Sequence, residues 1–183
     1  MQRLSFMIIY PFLRVLSLLP FGILYLLSDF SYLFVYYIFR YRRGVVKQNL
    51  AIALPHLSDK ERKEIERKFY HHFCDIFIEM VKTISISKKE MEKRFLIENV
   101  EVVEKLEKEG KSIILMCSHY ASYEWLVIIN GYTTFRAFGV YKKIKNKYFD
   151  NLVRKTRSKF GGTLIPSKEI VEQIKENEKN NIL

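Results

Sequence analysis

Apolar and polar positions divide this chain into an almost unbroken apolar N-terminus and a longer region of alternating pattern. Val15 to Phe39 is 25 residues with Asp29 as its sole charge, and as a helix it would reach roughly 37 Å, enough to cross a hydrocarbon core of about 30 Å with tilt. Asp29, with Ser28 and Ser31 beside it, interrupts the run near its middle; an acid at the bilayer centre costs about 3 kcal/mol. Two arrangements follow: one tilted span, or two shorter helices, about 4–27 and 30–41, hinged at Ser28–Asp29 and dipping into one leaflet. A buried helical pair in a soluble protein is the third reading. A cleavable signal peptide fits poorly, because the apolar region is too long and no small-residue cleavage site follows.

Periodicity then predicts the remaining elements. Gly44 to Leu54 reads as a short amphipathic helix stopped before Pro55. Asp59 to Lys82 is the clearest helix, with Ile65, Phe69, Phe73, Ile76 and Met80 on one face. Ser58 and Glu61 form a capping box at its start. Asn99 to Glu109 is a helix with Asn99 as N-cap and Gly110 as its stop. A strand at 112–117 follows, read as buried on both faces, and then a helix at 121–130 ending at Gly131. A strand from about Thr133 to Tyr141, a helix over 147–160, a short strand Thr163 to Ile165 and a helix over 168–178 complete the series. This alternation predicts an α/β fold: N-terminal membrane-associated helices, then an incomplete, mostly parallel sheet with flanking helices. Residues 1–43 form the anchor and 44–183 the N-terminal part of the α/β domain. Ile182–Leu183 reads as the opening of a further strand, so the chain is expected to be part of a longer protein.

Charge narrows the partners. The net charge is +11 over 183 residues, which suits anionic lipid, a phosphorylated substrate, an acidic carrier protein or nucleic acid. No nucleic-acid-binding motif accompanies it. Arg40, Arg42, Arg43 and Lys47 directly follow the apolar stretch; by the positive-inside tendency that end is cytoplasmic, and the cluster can bind anionic head groups. Cys74 and Cys117 are expected as buried free thiols rather than a disulfide. His71, His72, Cys74 and Asp75 do not share one helix face, so no metal site is predicted.

The candidate chemistry lies at the end of the 112–117 strand. His119 is followed five positions later by Glu124. An imidazole can take a proton from a hydroxyl, and a carboxylate can orient the ring and stabilise its charged form. On a regular helix that offset places the two about 140° from alignment, so they meet only if His119 precedes the helix proper. A histidine satisfied in a strand-to-helix turn is the plainer alternative. His56 and Glu61 repeat the spacing, but there the capping box already accounts for Glu61. Residues 141–160 carry eight Lys or Arg against Asp150 alone. Phe149, Leu152, Val153 and Phe160 mark the buried side of that helix, and Arg157 and Lys159 flank it. Arg157 is the better oxyanion ligand because its fork geometry suits phosphate or a developing alkoxide. The outward lysines read as a solvated face, with Lys142 and Lys143 as substrate-binding candidates.

In order and spacing these pieces resemble the lipid A biosynthesis late acyltransferases, the lauroyl/myristoyl acyltransferase family of Gram-negative bacteria. The matching segments are the apolar N-terminus, Arg43-Gly-Val-Val-Lys-Gln-Asn-Leu50 with Leu54–Pro55, His119 with Glu124, and Tyr141 to Asn146 with Asp150, Arg157 and Gly161. The resemblance covers nearly the whole chain. It implies a fold similar to the glycerol-phosphate acyltransferases, and transfer of a fatty acyl chain from acyl carrier protein to a hydroxyl of a phosphorylated glucosamine lipid. That reaction would run at the cytoplasmic face of the inner membrane, with the acyl-carrier thioester as donor substrate and no cofactor. On the same implication His119 is the general base, Glu124 orients it, and Arg157 binds substrate phosphate or the oxyanion. The family implies a further strand with an Asp-containing motif beyond Leu183. A catalytically inactive membrane-associated fragment, or a basic membrane-surface or nucleic-acid-binding protein, are the alternatives.

Overall fold

The computed structural model describes residues 1–179, and the chain divides into two compact units. The first runs from Val15 to Lys82; the second comprises Met1–Arg14 and the chain from Thr83 onward. The strand expected at Ile182–Leu183 lies outside the described residues.

In the Val15–Lys82 unit, helix α1 (Gln2–Leu18) ends where Leu19 and Pro20 break the chain, and α2 (Phe21–Tyr32) begins directly after. This corrects the expected hinge at Ser28–Asp29, which lies inside α2. Proline lacks an N–H and pushes the preceding residue out of the helical region, so sterics at Leu19–Pro20, not polarity at Asp29, set the break. The Lys82 ammonium donates to the carbonyl oxygens of Ser17 (3.0 Å) and Leu19 (2.8 Å), satisfying acceptors left open at the end of α1. A π-helical turn, Leu33–Ile38, continues α2. α3 (Arg43–Ala53) and α4 (Asp59–Lys82) follow. α4 begins as predicted: the Glu61 carboxylate accepts from Ser58 N at 2.8 Å, and Glu61 N donates to Ser58 Oγ at 3.3 Å.

α2 lies along α4 and buries one stripe, Leu24, Ser28 and Tyr36, with Tyr70 and Cys74 buried on α4. Asp29 is not stranded in apolar surroundings, since its carboxylate meets His71 Nε2 at 2.6 Å. Arg43 donates from Nε to the buried Glu66 at 2.8 Å and lies over the Tyr36 ring at 4.2 Å. Phe21–Ile38 is, among the described residues, the one helical stretch long and apolar enough to cross a membrane.

The other unit holds α5 (Lys88–Glu92), α6 (Val100–Lys108), a 3₁₀ helix (Tyr123–Gly131), β1 (Phe138–Tyr141), α7 (Lys147–Arg157), β2 (Thr163–Pro166) and α8 (Ile170–Lys179). β1 and β2 pair in parallel, with Phe138 opposite Thr163 and Tyr141 opposite Pro166. The parallel relation agrees with the alternation of elements, but among the described residues the sheet has two strands. The predicted strand at 112–117 is not formed: Lys111 to Cys117 is irregular and exposed, with Met116 at 88%. A strand exists only as a partner in a ladder, and β1 is paired with β2 instead. Cys117 is therefore exposed rather than buried, while Cys74 is buried and its thiol is pushed up by that burial. The core gathers Ile86, Met91, Trp125, Ile128, Tyr141 and Ile165. Phe6 stacks on Tyr148 and meets Phe149 edge-on, so the first residues of the apolar N-terminus pack against the start of α7.

Candidate active site

Three local signals build the site. Ala121 adopts φ 50°, a left-handed conformation that few L-residues tolerate, and it separates the irregular segment from the 3₁₀ helix that starts at Tyr123. The predicted helix at 121–130 thus begins two residues later and winds more tightly, and His119 lies ahead of it as the five-residue offset requires. Within this 3₁₀ helix Glu124, Trp125 and Ile128 are buried. Trp125 Nε1 donates to Thr83 Oγ1 at 3.1 Å, which fixes the turn that carries Glu124.

The third element is α7. Asn146 caps it by accepting from Tyr148 N at 3.0 Å, and the buried Asp150 accepts from Ile144 N at 2.8 Å and from the Tyr141 hydroxyl at 3.2 Å. Burial, then the Asp150 charge, push the Tyr141 phenol above its ordinary value. This network locks the turn between β1 and α7 and so sets where the last turn of the helix points. Arg157 closes that turn.

Arg157 grips Glu124 in a bidentate pair. Nε donates to Oε2 at 2.7 Å, and Nη2 donates to Oε1. The carboxylate is 8% exposed and the guanidinium 29%. The hydrogen bond to Glu124 raises the Arg157 pKa further, with burial opposing it. A guanidinium has five N–H donors, and the pair uses two, so those on Nη1 and the second on Nη2 remain for another acceptor. Glu124 therefore sets the orientation of Arg157. His119 is exposed and its ring packs on Tyr123, centroids 4.4 Å apart. The Tyr123 phenol is itself raised, by burial first and by Glu124 second.

The structure thus joins Glu124 to Arg157 and His119 to Tyr123. His119 and Glu124 form no hydrogen bond or ion pair with each other; among the described residues their contacts are these two. Lys142 and Lys143 stand exposed after β1. Lys159, on the basic segment, is structural: its ammonium donates to the carbonyls of Ile86 and, at 3.4 Å, of Thr83. Burial lowers its pKa, with Arg14 adding to the effect. Sequence reasoning missed Tyr123, although its position four residues after His119 was a usable signal. Among the described residues no group of three His, Cys, Asp or Glu side chains is placed to hold a metal ion.

Comparison with known proteins agrees with the family resemblance read from the sequence. The family model for bacterial lipid A biosynthesis acyltransferases matches residues 2–183. A curated lipid A biosynthesis acyltransferase of Haemophilus influenzae (strain ATCC 51907 / DSM 11121 / KW20 / Rd) is 26% identical over 153 residues, covering 84% of this chain and 48% of that protein. The chain spans about half the length of the curated relative it matches. A match that runs from the apolar N-terminus through α8 places the chain in the bacterial lipid A biosynthesis acyltransferase family.

Proposed function

We propose that this chain carries the acyl-transfer centre of a membrane-associated enzyme that moves a fatty acyl group from a carrier thioester to a hydroxyl of a phosphorylated glucosamine lipid. The observation that carries this reading is the pairing of Glu124 with Arg157 five residues after an exposed His119. His119 Nε2 or Nδ1 takes the acceptor hydroxyl proton as the oxygen attacks the thioester carbonyl. The tetrahedral intermediate carries an oxyanion, and the unused Arg157 donors, held in place by Glu124, are suited to stabilise it. Collapse then expels the carrier thiolate, which takes the proton back from the His119 imidazolium and leaves the ring neutral for the next turnover. The same cation could serve a substrate phosphate.

Acyl carrier protein is the proposed donor because the +11 chain complements an acidic carrier. The proposed location is the cytoplasmic face of the inner membrane, and no cofactor takes part. The test uses the full product of the gene in phospholipid vesicles, offered acyl carrier thioester and a phosphorylated glucosamine lipid acceptor. Mass spectrometry should find the acceptor heavier by one acyl chain. Acylation from a coenzyme A thioester with none from the carrier would contradict the donor, and no acylated lipid from either would contradict the reaction.

A further inference from the structure

The exposed apolar side chains of α2 and its π-helical continuation fall on one stripe. Ile23, Leu26, Leu27, Phe30, Leu33, Phe34, Tyr37 and Ile38 are all exposed, with Phe30 at 60% and Ile38 at 63%. Their spacing repeats at three and four residues, so they share a face. The opposite face is occupied. Tyr25 donates to Glu79 at 2.7 Å, Asp29 meets His71 at 2.6 Å, and the Tyr36 and Tyr70 rings meet at a tilt, centroids 5.3 Å apart. These bonds tie the helix to α4 along its length. α4 in turn carries exposed Lys63, Glu64, Arg67, Lys68, His71 and His72.

A helix bound in this way cannot cross a bilayer by itself. Its 18 residues have a length of about 27 Å, close to that of the hydrocarbon core. Crossing would either draw α4 into the core or strip away its polar bonds. Each Lys, Arg or Asp placed at mid-bilayer is disfavoured by roughly a hundredfold or more, and α4 would bring several. Seating the helix along the surface immerses only the apolar stripe and leaves Asp29, His71 and the charges of α4 in water.

The end of the stripe supplies the polar half of such a seat. Arg40, Arg42 and Lys47 are exposed immediately after it, and Arg40, Arg43, Gly44 and Lys47 line a shallow cavity of about 400 Å³. Arg43 is committed to Glu66 and Tyr36, so Arg40, Arg42 and Lys47 are the cations turned outward. We infer that α2 and its continuation lie in the plane of one leaflet of an anionic bilayer, apolar stripe inward, with Arg40, Arg42 and Lys47 on lipid phosphates. This rests on the reading that the protein works at a membrane, and it replaces a spanning anchor with a one-leaflet seat.

Depth along the helix separates the two arrangements. Ile23→Cys, Phe30→Cys and Tyr37→Cys, each seven residues apart on the stripe, are spin-labelled in a Cys117→Ser background, where the buried Cys74 stays unmodified. The full gene product is reconstituted in vesicles of phosphatidylethanolamine and phosphatidylglycerol, and depth is read from accessibility to oxygen and to a nickel chelate. The inference expects one common depth, about 5–10 Å below the head groups. A label at Phe30→Cys deep in the core, with Ile23→Cys and Tyr37→Cys shallow, would overturn it, as would three labels fully accessible to water. Arg40→Gln, Arg42→Gln and Lys47→Gln together should weaken binding to phosphatidylglycerol vesicles by about fivefold per cation and leave binding to neutral vesicles unchanged. Unchanged binding to the anionic vesicles would remove the phosphate contacts from the account. Uniform shallow depth in a protein that fails to transfer acyl groups would defeat the proposed function and still support the seat.

Discussion

Removing Arg157 should expose the energetic cost of the carboxylate it neutralises. In Arg157→Met the Glu124 carboxylate, 8% exposed, is left buried without its cation. Breaking one side of a buried pair costs about 3–5 kcal/mol; because Arg157 is itself 29% exposed, the expected value is at the lower end, about 3 kcal/mol. Glu124→Gln keeps an acceptor for the guanidinium and leaves a cation that water can partly reach, so about 1–2 kcal/mol is expected. The double variant should be less unstable than the sum by about 1–2 kcal/mol, because no buried charge is then left unpaired. The assay is urea unfolding in detergent micelles followed by fluorescence. Trp125, adjacent to Glu124, is the one tryptophan in the chain and is buried, so it reports on this site. Arg94–Glu90, an i,i+4 bridge at 2.9 Å with both side chains more than a third exposed, is the control, worth at most about 0.5 kcal/mol. If the two single effects add to within about 0.5 kcal/mol, the pair is not coupled and Glu124 does not position Arg157.

Other consequences can be checked separately. Asn146→Ala removes the N-cap of α7 and should cost about 1 kcal/mol in the same unfolding assay. It should also lower acyl transfer, because α7 carries Arg157. Cys117 should react quickly with a maleimide under native conditions and Cys74 should not, as mass spectrometry of the labelled protein would show; the reverse order would restore the strand at 112–117. The Tyr141 phenol is raised above 10.0 by burial and Asp150. Its folded form therefore holds the proton more tightly than the unfolded chain does. The resulting stability is fully present below about pH 10 and is lost as pH rises through the folded value. Tyr141→Phe should flatten that alkaline loss in a pH series of unfolding midpoints.

How much of this was legible in the sequence depended on how local each signal is. α4 was read to the residue, because Ser58 and Glu61 announce its start and a 3.6-residue stripe runs to Lys82. Gly110 at φ 66° marks the end of α6 as its position suggested, whereas α7, expected over 147–160, already ends at Arg157, ahead of the left-handed Gly161. Asn99 precedes α6 as predicted, but in a left-handed conformation without a side-chain cap. The failures are non-local. Ile113 to Cys117 has the composition of a buried strand, but strand formation depends on a neighbour elsewhere in the chain, and composition carries no record of one. Asp29 looked like a break because its partner, His71, lies on another helix, whereas the real break at Pro20 was a local steric signal given too little weight. For the site, position along the chain singled out His119, Glu124 and Arg157 as candidates but gave no sign of the Glu124–Arg157 pair. Glu124 and Arg157 are 33 residues apart, and only the fold of the β1–α7 segment brings them together.

The role proposed for His119 is that of general base in an acyl transfer supported by Arg157. It is tested most directly by measuring acyl transfer from the carrier thioester in vesicles holding the full gene product, unaltered or with His119→Ala. His119 is exposed, so the substitution should leave the unfolding midpoint within about 0.5 kcal/mol of the parent. The expected result is a fall in kcat of about 10²–10⁴-fold with vesicle binding unchanged. Transfer by His119→Ala at the parent rate would rule out His119 as the general base, whatever the family of the chain.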